Sequence, residues 1–183
     1  MDTTKDPLPP WSAADAQALY AMDVWADGFF FVNAAGNVAA RPLHDSKLAI
    51  DLTAVIEAAK AEGATLPLLI RFQDVLEARV KRLNEAFAGA IAAAGYGSRY
   101  QGVYPIKVNQ LHEVVEEVLE AGAPYDLGLE CGSKPELVAA LSLIGTDRLL
   151  ICNGVKDHVM LSLMLNAQQL GQQVLPVIEK YSE

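Results

Sequence analysis

The sequence predicts an α/β fold built on a parallel sheet. Three observations predict it. From about Leu66 onward, short apolar runs alternate with helical periods. The later runs recur at a spacing of about 22 to 25 residues, the span of one strand-helix unit. Each run is continuously apolar rather than alternating, as expected when helices or packed side chains cover both faces. The order β-α-β-α-β-α-β-α-β is compatible with a doubly wound sheet or a barrel.

The elements follow in order. Residues 1–50 differ from the rest, and 25–38 reads as a β-hairpin with 33–37 as its turn. Residues 67–72 read as the first strand of the main domain. Residues 74–94 read as a helix with the apolar stripe Leu76, Val80, Leu83, Phe87 and Ile91. Residues 102–109 make the second strand. Residues 111–121 form a helix that Gly122 ends. Residues 125–131 make the third strand. Ser133 and Glu136 have the spacing of a capping box, with Pro135 in the first turn of a helix that stops at Gly145. The fourth strand is 148–152, the next helix 156–170, and the fifth strand 173–178.

With 183 residues, 52% hydrophobic and 20% charged, the chain has a globular composition. Its net charge of −9 argues against nucleic acid or an anionic membrane as the main partner. Residues 1–10 are polar and proline-rich, without the apolar run of a signal peptide. Residues 158–178 lack Asp, Glu, Lys and Arg, but four glutamines, Asn166, Gly171 and Pro176 rule them out as a membrane span. Cys131 and Cys152 have no metal-binding spacing and read as buried thiols in a reducing compartment. The expected location is the cytoplasm.

One residue stands out chemically. Lys107 lies alone in the apolar run from Val103 to Val108. Burial disfavours an ammonium without a partner, so a lysine there is either a paired structural charge or an amine kept for chemistry, such as imine formation with an aldehyde cofactor. Strand alternation puts Val103, Pro105 and Lys107 on one face, with Lys107 near the carboxyl end, where parallel α/β folds build their sites. Pro105 marks an irregularity beside it. Glu130, at the carboxyl end of the next strand, is placed to reach Lys107. It serves as a salt-bridge partner or helps orient an imine, and both readings stay open. Asn153-Gly154 follows the fourth strand at the same end and reads as a loop turn.

These residues carry a resemblance. GVYPIKVNQ (102–110), GLECGSKPEL (128–137) and ICNGVKD (151–157), together with 25–38 and VIEKYSE (177–183), resemble the biosynthetic arginine decarboxylases. Those are pyridoxal-phosphate enzymes of the alanine-racemase-like barrel class, and the resemblance runs from about Trp11 onward. It implies a partial (β/α)8 TIM-type barrel of about five of eight strands, with residues 51–183 as the N-terminal part of the barrel and 1–50 as a separate hairpin segment. It implies that Lys107 holds pyridoxal phosphate as an imine and that Glu130 is the acidic group near it. Ser133 and Glu136 match the same motif, but helix capping accounts for them.

The activity implied is decarboxylation of L-arginine to agmatine and carbon dioxide, in polyamine (putrescine and spermidine) biosynthesis and arginine catabolism. Magnesium as a second cofactor and homo-oligomeric assembly of the full-length form are implied as well, with no magnesium ligand assigned. The phosphate-binding loop and the substrate-reading residues find no match, so the chain reads as an N-terminal fragment with little activity alone. Two alternatives remain: a decarboxylase of ornithine, lysine or diaminopimelate, and a non-catalytic protein that binds pyridoxal phosphate.

Overall fold

The structure, a computed structural model, describes residues 10–43, 47–181 and 183; the polar stretch 1–9 and Ser182 of the last motif lie outside them. Two units are distinguished, Met1–Val75 and Leu76–Glu183.

The first unit begins with α1 (Ala13–Leu19) and the single turn α2 (Met22–Trp25). Ser12 and Asp15 form a reciprocal capping box at the start of α1, which the sequence reading missed. Strand β1 (Phe30–Val32) pairs antiparallel with β2 (Val38–Ala40), and β2 with β3 (Ile50–Asp51). Trp25 belongs to α2, so the first hairpin strand is shorter than 25–38 suggested. Asp51 is the N-cap of α3 (Leu52–Ala61), accepting the Thr53 and Ala54 N–H groups. Its carboxylate also accepts the amides of Asn33 and Asn37, at 2.7 and 2.9 Å, and so ties the hairpin turn to the helix start. Those two amides, Asn37 first, hold the Asp51 carboxyl below its usual range.

Residues 67–72 are not a strand. No ladder pairs them, and Leu66 and Leu69 are exposed. An apolar run becomes a strand only where a neighbour takes up its backbone groups. The sheet of the second unit therefore has four parallel strands among the described residues, where five were expected.

That unit opens with most of α4 (Gln73–Ala94). Its predicted apolar stripe is only partly covered: Leu83 and Phe87 are exposed, Phe87 stacks on Tyr100 at 3.9 Å, and the one buried residue described on the helix is Asn84. The sheet follows: β4 (Val103–Pro105), β5 (Gly128–Cys131), β6 (Leu149–Cys152) and β7 (Gln173–Pro176), in that order. Between them lie α5 (His112–Ala121), α6 (Lys134–Leu143) and α7 (His158–Gln169).

The ladders align Tyr104, Leu129, Leu150 and Val174 in one row. With Cys131 and Cys152 these residues meet Val115 and Val118 of α5, Leu137 and Ala140 of α6, and Met160 and Met164 of α7. Leu129, Leu137 and Leu150 are fully buried, each contributing roughly 1.5–3 kcal/mol. Alternation sends Pro105 and Glu130 to the opposite face. Gly128 is required by close approach, since a Cβ there would lie 2.0 Å from the Leu149 carbonyl oxygen on β6.

Candidate active site

The site lies at the carboxyl end of the parallel sheet, where strand ends and their following loops converge. Strand β4 stops at Pro105, and its ladder to β5 stops with it. The next residues, Ile106–Val108, form a 3₁₀ turn rather than more strand. Proline has no N–H to extend a ladder, so the chain is free to turn there. The Tyr104 hydroxyl donates to the Asn109 carbonyl at 3.3 Å across the turn, and burial pushes that phenol up.

This turn corrects the reading of Lys107. The residue is not in a buried strand; it sits on the turn and is exposed, while Ile106 is buried in the core. Water therefore reaches Lys107, and burial is not what sets it apart. Its location at the rim does hold: it lines an open pocket of about 270 Å³ with Glu130 and Gly132 from the end of β5, Glu136 from α6, Asn153 and Gly154 after β6, and Glu179 after β7.

Glu130 is the register partner of Pro105 and is mostly buried. The pocket carboxylates differ in what they do. Glu136 accepts the Gly132 N–H at 2.7 Å, and Glu179 accepts the Gly154 N–H at 2.6 Å. The expected capping box is therefore half formed: the Ser133 hydroxyl accepts the Glu136 N–H, but the Glu136 carboxylate reaches back to Gly132 rather than to Ser133. Neither the Lys107 ammonium nor the Glu130 carboxylate makes a hydrogen bond or ion pair with a described residue. The two groups singled out in the sequence are thus the uncommitted amine and carboxylate of one pocket.

Gly154 shapes the floor. Its φ is +76°, and a Cβ there would lie 2.3 Å from the Gly132 carbonyl oxygen. The Asn153 N–H donates to the Cys131 carbonyl at 2.8 Å, continuing the β5–β6 pairing into the loop. Beneath the rim, Cys131 and Cys152 are register partners on β5 and β6, fully buried, with sulfurs 3.5 Å apart. The Cys131 thiol is pushed up by its hydrogen bond to Cys152 and by burial. Both cysteines are core thiols, as their spacing suggested.

The sequence reading missed the buried lysine. Lys156, expected at the start of a helix, precedes α7, whose N-cap is Asp157. Its ammonium is fully enclosed.

A four-stranded parallel α/β sheet with a free amine and a carboxylate at its carboxyl rim defines a candidate covalent-catalysis site of the lysine type. The chain is similar over 94% of its length to biosynthetic arginine decarboxylases. The one from Prochlorococcus marinus (strain MIT 9303) is 45% identical over 174 residues, and that from Synechococcus sp. (strain RCC307) 47%. Arginine decarboxylase 1 of Oryza sativa subsp. japonica is 47% identical over 186 residues. Among solved structures, the biosynthetic arginine decarboxylase SpeA from Campylobacter jejuni matches with a TM-score of 0.81 and 27% identity, over 89% of this chain and 27% of that one. The chain spans about a quarter of the length of these relatives, 26–27%. No protein-family model matches it.

Proposed function

We propose that the chain carries the lysine-bearing part of a pyridoxal-phosphate-dependent arginine decarboxylase, which converts L-arginine and a proton to agmatine and carbon dioxide in polyamine biosynthesis. The observation that carries this reading is the shared pocket of Lys107 and Glu130, both uncommitted, in a chain 42–47% identical to arginine decarboxylases. In this reading β4 to β7 are part of a (β/α)8 barrel, residues 51–183 belong to that barrel and 1–50 precede it. The whole protein assembles as a homo-oligomer in the cytoplasm. No helix among the described residues is long and apolar enough to cross a membrane.

The residues fit the aldehyde end of the cofactor. Lys107 presents an unengaged amine to the pocket, and it is the one cation lining it among the described residues. The other charged groups there are carboxylates, which would repel a phosphate, so no phosphate anchor is assigned. Pyridoxal phosphate, when held, supplies a conjugated ring that accepts the electron pair released with carbon dioxide. Lys107 Nζ would hold the cofactor by its aldehyde at the pocket rim. As a free amine it can carry a proton toward the reacting centre. In this reading Glu130, which lines the same pocket, would hold the protonated Nζ of Lys107 once that amine is released. Among the described residues no group of three or more His, Cys, Asp or Glu side chains is placed to hold a metal ion, so magnesium is assigned no ligand and no step.

The test is incubation of the full chain with pyridoxal phosphate and L-arginine, with L-ornithine and L-lysine as controls, and quantification of amine and carbon dioxide. Borohydride reduction before substrate addition, followed by peptide mass mapping, locates the adduct. From these 183 residues alone, an adduct on Lys107 with little or no agmatine is expected. An adduct confined to another lysine overturns the assignment.

A further inference from the structure

Lys156 is an enclosed lysine of the second unit: its side chain is 0% exposed, and the side chain of its partner Glu183, 3.2 Å away, is 4% exposed. A buried ion pair is weak evidence of stabilisation in itself, because desolvation opposes the attraction. What this pair joins is more informative. The Lys156 ammonium donates to the Gly154 carbonyl oxygen as well as to Glu183. The Glu183 carboxylate in turn accepts the Lys156 N–H and the Glu179 N–H, each at 3.0 Å. The Glu179 carboxylate closes the circuit by accepting the Gly154 N–H. The loop after β6 and the segment after β7 are thereby locked together, and both line the Lys107 pocket.

Glu179 lines the pocket together with Lys107, and its carboxylate is held on the Gly154 N–H; released from it, that carboxylate would be a competing partner for the Lys107 ammonium. The charged groups facing Lys107 are Glu130 from β5, Glu136 from α6 and Glu179 from the segment after β7. Glu136 is committed to Gly132 and Glu179 to Gly154, which leaves Glu130.

We propose that Lys156 is a positioning residue for this site: by clamping Glu183 and Gly154 it keeps Glu179 on the Gly154 N–H and off Lys107, so that the Lys107 amine stays free to react with an aldehyde. The inference rests on the proposed role of Lys107 as the cofactor-holding amine. Lys156 itself touches no reactant. Its ammonium sets the geometry of the loop 153–156, and the loop sets where the Glu179 carboxylate goes.

The test uses the full chain and three variants. Lys156→Met removes the clamp; Glu183→Gln loosens it while keeping the lysine and serves if Lys156→Met does not fold. Lys156→Met combined with Glu179→Gln removes the competing charge as well. Two quantities are read: amide hydrogen exchange at Gly154, with Leu129 and Leu150 as core references, and borohydride-trapped pyridoxal phosphate on Lys107 relative to exposed Lys60. We expect Lys156→Met or Glu183→Gln to speed Gly154 exchange roughly tenfold, since a hydrogen bond to a charged group is weakened, with the core amides unchanged. Trapping on Lys107 should fall about three- to fivefold, the scale of one solvent-accessible ion pair. The Glu179→Gln combination should restore trapping, which a merely structural role of Lys156 would not do. Equal trapping in wild type and single variants, or loss that Glu179→Gln fails to rescue, overturns the inference. No trapping on Lys107 in the wild type instead overturns the cofactor role on which it rests.

Discussion

Pro105 and Glu130 are direct partners across the β4–β5 ladder, and Lys107 stands two residues past the point where that ladder ends. The proline ends the pairing, the turn lifts the lysine to the rim, and the carboxylate of the neighbouring strand faces the same pocket. Because Lys107 is exposed and unengaged, Lys107→Ala should change folding stability by no more than about 0.5 kcal/mol. It should at the same time abolish the reducible pyridoxal-phosphate adduct. Thermal unfolding and mass mapping after borohydride check the two halves; a large loss of stability would mean that Lys107 is a structural charge.

Glu130 gives the complementary prediction. It lines the open pocket with no partner of its own among the described residues, so Glu130→Gln keeps the shape and removes a charge that no hydrogen bond or ion pair holds. Stability should stay level or rise by up to about 1 kcal/mol, while reactivity at Lys107 changes. Denaturant unfolding of the variant beside timed trapping at Lys107 measures both, and a marked destabilisation would point to an ion pair.

Gly154 should tolerate no side chain. Its backbone occupies the left-handed region, and a Cβ would press on the Gly132 carbonyl oxygen, a backbone atom that cannot swing aside. Gly154→Ala should cost about 2–4 kcal/mol from strain and overpacking together. The loss is read as a lower denaturant midpoint, with Gly36→Ala as a control whose φ is also positive but whose Cβ meets nothing within 4 Å.

Acid should open the loop clamp late. The Glu179 N–H, the Lys156 N–H and then the Lys156 ammonium hold the Glu183 carboxyl at about 2, below its ordinary 4.5. A carboxyl depressed in the folded state adds stability that is fully present above about pH 4.5 and disappears as pH falls through about 2. Gly154 amide exchange, followed from neutral pH downward and corrected for intrinsic rates, should therefore stay protected well below pH 4.5. Glu183→Gln should flatten that dependence.

The thiols should be silent in the native state. Cys131 and Cys152 are fully enclosed, and the Cys131 thiol is held protonated by burial and by its neighbour. A thiolate is the reactive form, so alkylation should be negligible until denaturant is added, then reach both cysteines. Rapid native labelling of either would contradict the packing.

Much of the sheet was legible because its signals are local. The β5, β6 and β7 runs, the helix stop at Gly122 and the Ser133 N-cap follow from apolar continuity and capping chemistry. Residues 67–72 misled because apolar content says nothing about whether a neighbouring strand is there to pair. The stripe on α4 misled in the same way: periodicity names a face, and packing decides whether that face is covered. Lys107 and Glu130 were found from composition, as charges at the carboxyl ends of apolar runs. Glu136 was read as a capping-box carboxylate and Glu179 only as part of the last motif; that they hold the Gly132 and Gly154 N–H groups was not legible, because those backbone partners carry no residue signature.

The sequence by itself determined the alternation of strands and helices from β4 to β7, the apolar runs that build those strands, and Lys107 as the lysine set beside the first of them, since each depends on residue type at short spacing, whereas the row from Tyr104 to Val174 is set by the ladder register. Only the tertiary structure decided which lysine is enclosed. Lys156 and Lys107 look alike in composition; one is sealed by a carboxylate 27 positions away, and the other is turned outward by the end of a ladder. Burial of a charge is set by what the folded chain brings around it, and no local spacing encodes that.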